Sequence, residues 1–241
     1  MIRVNEIFGP TVQGEGKNAG MPVAFLRLAN CNLHCFKCDT PFTWYFQGVG
    51  KKHKHIDVVE FDREAELHKK EVDEIVEILT KTGMKHLVIS GGEPLMQQRQ
   101  LIPLLQALKG LGWFIEVETN GTLVPKPEFV EWIDQINCSP KLEGEFSGES
   151  EEIRIVPKAL EALIQTKKVN FKFVICEASD IKQVMALKER FGLDEIRLMP
   201  ECRTNEEMKA KEKWVRFMAE KFDMIYCTRL SIEISGTKRG V

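Results

Sequence analysis

Three cysteines fall within eight residues, Cys31, Cys35 and Cys38, in the stretch CNLHCFKCDT, and no fourth follows. A C-x3-C-x2-C run admits three readings: part of a zinc site, buried thiols, or ligands of an iron–sulfur cluster. Structural zinc sites pair one C-x2-C with a second such pair or a histidine pair, and neither stands nearby; His34 lies inside the loop. A cubane cluster normally takes four thiolates, so three on one loop leave one iron for an exchangeable ligand. Cys138, Cys176, Cys202 and Cys227 each stand alone, several in apolar segments, and read as core thiols.

Other stretches carry polar chemistry. In SGGEP, residues 90–94, paired glycines let backbone amides approach a ligand closely or simply form a turn. Ser139 and Lys141 of CSPK offer a hydroxyl and a cation suited to a ribose and a carboxylate, or to helix caps. Lys172 interrupts NFKFVI, where an unpaired ammonium would be costly, so it either snorkels or meets an anion. Gln13, Gly14 and Glu15 place an amide, open backbone and a carboxylate together, a set that suits a heterocycle with amidine-like donors and a carbonyl, or makes a turn. Arg27 interrupts VAFLRLA and calls for an anion, whether a carboxylate held at two points or a plain salt bridge.

The elements that must hold these residues alternate. VAFLRLA has strand length and leads into the cysteine loop. Val72, Ile75, Val76 and Leu79 follow helical spacing, as do Leu101, Leu104, Leu105 and Leu108; HLVIS, WFIEVE and INCS read as strands, EFVEWI as a short helix. A helix over 156–164, the strand VNFKFVI, a helix over 181–190, the strand EIRLM and a final helix ending near Phe222 complete the series. Such alternation implies an α/β fold with a parallel sheet. Two segments read as surface excursions: residues 48–70, a probable-looking insertion by composition that contains GKKHKH, and the acidic Gly/Ser stretch 143–152.

At 241 residues the chain fits one domain, 1–241, and buries a substantial core. A net charge of −2 offers no general attraction for nucleic acid. No apolar run approaches a membrane span, and MIRVNEIF lacks signal-peptide design, so the expected compartment is cytoplasmic. Seven cysteines, three of them clustered, suit a reduced protein with a metal site better than a disulfide framework.

The cysteine loop together with SGGEP one strand later resembles the radical S-adenosylmethionine (SAM) superfamily, in which the open iron binds SAM and reductive cleavage yields a 5'-deoxyadenosyl radical. Within it, EIFGPTVQGEG, Arg27, CDTPFTW, SGGEP, ETNGT, SPK and the terminal TKRGV are similar, in order and spacing, to the 7-carboxy-7-deazaguanine synthase family. That resemblance implies an incomplete, distorted (β/α) barrel of parallel strands and a lyase that converts 6-carboxy-5,6,7,8-tetrahydropterin to 7-carboxy-7-deazaguanine with loss of ammonia, in 7-deazapurine (queuosine-type) biosynthesis. It also implies a [4Fe-4S] cluster, SAM, Mg2+, a flavodoxin- or ferredoxin-type electron donor and a homodimer. The rival reading is a radical SAM activase of a glycyl radical enzyme.

By position, the resemblance assigns Cys31, Cys35 and Cys38 to the cluster and Thr40 to Mg2+. Val12, Gln13, Gly14, Glu15, Arg27 and Ser90 would meet the pterin, and the carboxylate of Val241 would close its site. SAM would touch Lys37, Cys38, Asp39, Gly92, Ser139, Pro140, Lys141, Met199, Pro200 and Glu201. Two positions depart from the family pattern: Lys37 stands where an aromatic usually precedes the last cysteine, with Phe36 before it, and Met199 stands where relatives often carry glutamine.

Overall fold

Successive residues of a strand point to opposite faces, and here the two sets differ in chemistry. Leu26, Leu28, Leu87, Ile89, Ile115, Val117, Ile136, Phe171, Phe173 and Leu198 all join one buried apolar cluster. Alternating with them are many polar residues, among them Arg27, Ser90, Glu116, Glu118, Asn137 and Lys172. One face therefore takes a cover of helices and the other lines a site. Burying each large aliphatic side chain on the first face contributes roughly 1.5–3 kcal/mol.

The computed structural model describes residues 1–48, 58–144, 146–236 and 238–240. Its strands are β1 (Ile2–Val12), β2 (Pro22–Leu28), β3 (His68–Lys70), β4 (His86–Gly91), β5 (Phe114–Thr119), β6 (Gln135–Cys138), β7 (Val169–Ile175), β8 (Ile196–Pro200) and β9 (Ile225–Tyr226). Its helices are α1 (Arg63–Glu66), α2 (Val72–Lys81), α3 (Gln98–Gly110), α4 (Pro127–Val130), α5 (Glu151–Arg154), α6 (Pro157–Gln165), α7 (Asp180–Phe191), α8 (Asn205–Lys221) and α9 (Leu230–Ser235). Among the described residues the strands form one open sheet in the order β3-β1-β2-β4-β5-β6-β7-β8-β9. From β2 to β9 neighbours run parallel, whereas β1 joins β2 and β3 antiparallel at one edge. The sheet does not close, which is the incomplete barrel expected. No helix among the described residues is long and apolar enough to cross a membrane.

The structure adds to the sequence reading. The excursion at 48–70 returns to the fold at its end, where α1 leads into β3 and Arg3 pairs with Lys69. The GKKHKH run lies outside the described residues. After α8 the chain adds β9 and α9, elements of two and six residues, too short to show a period.

Candidate active site

A cavity of about 510 Å3 opens on the polar face, at the carboxyl ends of the parallel strands. Cys31, Cys35 and Cys38 line it from the loop after β2. Glycine decides how that loop is held. A Cβ on Gly92 would lie 1.8 Å from Asn30 O, and one on Gly91, whose φ is +116°, would lie 2.3 Å from Leu28 N and O. The close approach lets Gly92 N donate to Leu28 O at 2.9 Å and Glu93 N to Asn30 O at 2.9 Å. The buried Glu93 carboxyl in turn accepts from Leu95 N, Thr119 Oγ1 and Asn120 N. SGGEP thus fastens the cysteine loop to the end of β5.

Burial pushes all three loop thiols above their ordinary value, Cys35 to about 12. Thiols in such surroundings ionise when a cationic centre takes the place of the proton. Three thiols carried by one loop and facing one cavity fit the ligand set of a cubane, which asks each thiolate for a different iron. Burial likewise raises the thiols of Cys138, Cys176, Cys202 and Cys227. Cys202 packs with Met208 and Ile232, and Cys227 with Val174 and Met199.

The 143–152 stretch is not a free surface excursion. Phe36 N donates to Ser147 O at 3.3 Å and Lys37 N to Phe146 O at 3.0 Å, so residues 146–149 lie against the cysteine loop. Composition alone suggested a solvated loop because its polar groups find partners only in tertiary contact.

Of the positions assigned to SAM, Lys37, Asp39, Gly92, Ser139, Lys141, Met199 and Glu201 line the cavity with Cys38. Pro140 and Pro200 are buried without reaching its wall. Lys37 Nζ lies 3.5 Å from Glu201 Oε2, which Lys211 also holds at 2.8 Å. Lys141 Nζ donates to Ser139 Oγ at 3.1 Å and stands over the Phe146 ring. Thr40 Oγ1 lies 3.6 Å from Cys38 Sγ and does not cap the following turn.

At the other end of the cavity stand Val12, Gln13, Gly14, Glu15, Arg27 and Ser90. Lys172 meets Glu15 at 2.6 Å, so its charge is paired and not snorkelled. Burial works against both charges, yet the pairing wins: Lys172 and Arg229 hold the Glu15 carboxyl low, and Glu15 with Glu118 hold Lys172 high. Burial pushes the Glu118 carboxyl up, only partly offset by Lys172. Ser90 Oγ donates to Glu118 at 3.3 Å. Arg27 Nε donates to Glu6 Oε1 at 2.7 Å. Among the described residues its two terminal nitrogens bond no protein group.

Gln13 is turned inward. Its Nε2 donates to Glu116 at 2.5 Å and to Glu118 at 3.3 Å. Fully buried Glu116 also accepts from Asn18 at 2.8 Å and from Asn137, with His86 Nε2 at 3.1 Å. This floor pins the 13–21 loop to β4, β5 and β6. Arg229, from the chain's last tenth, donates to Asp39 and to Cys202 O at 2.7 Å, tying the cysteine loop to the end of β8. Sequence reasoning passed over Glu6, Glu116, Glu118, Asn120, Asn137 and Arg229. The polar half of each alternating strand, as in WFIEVE, was the signal for three of them. Val241 lies outside the described residues.

A family model described as a 4Fe-4S single cluster domain matches residues 12–154. A 7-carboxy-7-deazaguanine synthase of Pyrobaculum aerophilum is 33% identical, over 99% of this chain and 97% of its own. One of Rhodopirellula baltica is 27% identical, over 95% and 84%. Among solved structures, QueE from Escherichia coli superposes with a TM-score of 0.66 over 94% of this chain and 93% of its own, at 22% identity, and supports the fold.

Proposed function

The chain belongs to the 7-carboxy-7-deazaguanine synthases, a radical SAM family, and from that premise we propose that its cavity converts 6-carboxy-5,6,7,8-tetrahydropterin to 7-carboxy-7-deazaguanine with loss of ammonia. One observation carries the reading: the three cysteines and the set Arg27, Glu15, Lys172 and Glu118 open on the same enclosed space. A cluster held by Cys31, Cys35 and Cys38, with SAM beside it, supplies one-electron reductive cleavage and hydrogen abstraction when bound.

The chain's own residues supply binding, orientation and proton handling. Arg27, steadied through Nε by Glu6, keeps its terminal nitrogens for two-point contact with the pterin carboxylate. Val12 to Glu15 close over the heterocycle, their position set by Glu116 below. Glu118, its carboxyl raised by burial and backed by the Lys172 charge, is placed to give and take the protons that ring contraction and amine loss require. Gly92, Ser139, Lys141 and Glu201 face SAM. Thr40, beside Cys38, would offer one hydroxyl oxygen to Mg2+, an ion that favours oxygen ligands. A flavodoxin- or ferredoxin-type protein delivers the electron, and the enzyme works as a cytoplasmic homodimer. The activase alternative leaves Arg27, Glu15 and Glu118 without a task.

Anaerobically reconstituted protein is expected to hold close to four irons, to cleave SAM only when reduced, and to release ammonia and the deazaguanine from the pterin. Cys35→Ala should lose both chromophore and turnover. SAM cleavage with no pterin turnover would overturn the substrate; iron-free protein holding zinc would overturn the reading altogether.

A further inference from the structure

The segment 146–149 crosses the cysteine loop and brings a side chain to one of its thiols. Ser147 is fully buried, and its Oγ lies 3.8 Å from Cys35 Sγ. Glu149 N donates to that same oxygen at 3.4 Å. Once Cys35 is a thiolate ligand its sulfur can only accept, so the hydroxyl hydrogen turns to it while the backbone N–H holds the oxygen. We propose that Ser147 is a positioning and tuning residue for the iron–sulfur cluster, donating its hydroxyl to the Cys35 sulfur and raising the ease of reduction of the cluster.

Everything around Ser147 serves to hold it there. Gly148 has φ +67°, and an added Cβ would lie 1.9 Å from the Phe36 ring, so glycine suits the close crossing. His34 N donates to Glu149 Oε1 at 3.3 Å. Buried Arg154 closes the base, donating to Glu149 O at 3.2 Å and Lys141 O at 2.9 Å. One guanidinium thus holds the carbonyls of Lys141 and Glu149, and the stretch 146–149 meets the ligand loop at four points. Donors to cluster sulfurs withdraw electron density and stabilise the reduced state, which carries the extra negative charge. Reduction adds one electron to the cluster and breaks no bond; the hydroxyl keeps its proton throughout.

The inference rests on Cys31, Cys35 and Cys38 holding the cluster, which iron analysis of the native protein tests separately. Ser147→Ala is expected to bind the same iron yet show a more negative midpoint in a potentiometric titration followed by EPR. At the native midpoint the reduced-to-oxidised ratio should drop by up to about tenfold, equal to ~59 mV for one electron. The reduced native cluster should also show one proton coupling that exchanges in D2O and is missing from S147A. An unchanged midpoint, or identical exchangeable couplings in the two proteins, would overturn the proposal.

Discussion

Arg239 stands over the ring of Phe42, its guanidinium carbon 3.7 Å from the ring centre. The same guanidinium meets Glu66 at two points, 2.9 and 2.7 Å, and approaches Glu6, the partner of Arg27. A glycine-rich, basic segment would ordinarily fray, yet Arg239 docks here on the cavity rim, which Gly240 also lines. Glu6 couples the tail to the arginine assigned to the substrate.

A C-terminal affinity tag, or amidation of Val241, is expected to disturb the docking of Arg239 and cut kcat/KM for the pterin about tenfold or more. Arg239→Ala should act in the same direction by releasing the tail. Cluster content and SAM affinity should stay unchanged in both. Equal turnover by C- and N-terminally tagged enzymes would return the tail to a passive role.

Arg27→Lys is expected to raise KM for the pterin and lower kcat together. One ammonium cannot be held by Glu6 and still present two parallel donors, so the substrate loses orientation as well as affinity. A loss of roughly tenfold or more in kcat/KM corresponds to one charge-assisted bond. Steady-state kinetics checks it; native values would make the arginine structural.

Glu116→Gln should loosen the loop over the heterocycle without touching the cluster. An amide there turns a hydrogen donor toward side chains that are themselves amide donors, Gln13, Asn18 and Asn137, leaving at least one buried group unmet at about 1–3 kcal/mol. Hydrogen exchange over residues 13–21 should quicken, and KM should rise more than kcat falls. Unaltered exchange in that loop would show that Glu116 does not position it.

How much of this was visible beforehand depends on how local the cause is. The cysteine loop and SGGEP could be read because spacing and glycine act within a few residues. The Gly92 approach to Asn30 supplies their physical reason. The strands were readable from apolar runs, but the polar positions between were not recognised as a second face. Arg229 holds Asp39 across 190 residues, and Glu116 gathers partners from two neighbouring strands and a hairpin loop. The strand partners of Glu116 are two, His86 of β4 and Asn137 of β6, and such pairings follow from sheet order and register, which no local pattern encodes. The stretch 146–149 escaped for the same reason.

Thr40→Val should weaken stimulation by Mg2+ while leaving the cluster spectrum intact. Valine keeps the branched shape but removes the hydroxyl beside Cys38, which makes no cap for the following turn. Rates measured across a Mg2+ titration test this; equal stimulation in the variant would exclude the contact.

The Glu15–Lys172 pair sets the pH response of the cavity. The Glu15 carboxyl is held below 4.5 in the fold, despite burial, by Lys172 and Arg229. A carboxyl lowered by folding adds stability that is complete above its unfolded value and fades as pH falls through the folded one. Lys172, raised by the fold, adds stability below about 10.5 that fades only as pH climbs past its folded value. Between these limits the pair is fully formed. Removing one partner leaves a buried charge short of its counterion, a change that costs about 3–5 kcal/mol in buried pairs. Arg229 and Glu118 remain nearby, so Glu15→Gln belongs at the lower end, roughly 6 °C or more in Tm for a domain of this size. The Tm gap between native protein and E15Q should be widest near pH 7 and should shrink below about pH 4.5, where the native carboxyl begins to lose its advantage. A gap of the same size at pH 3.5 and pH 7 would mean that the stability of the pair does not come from its charge.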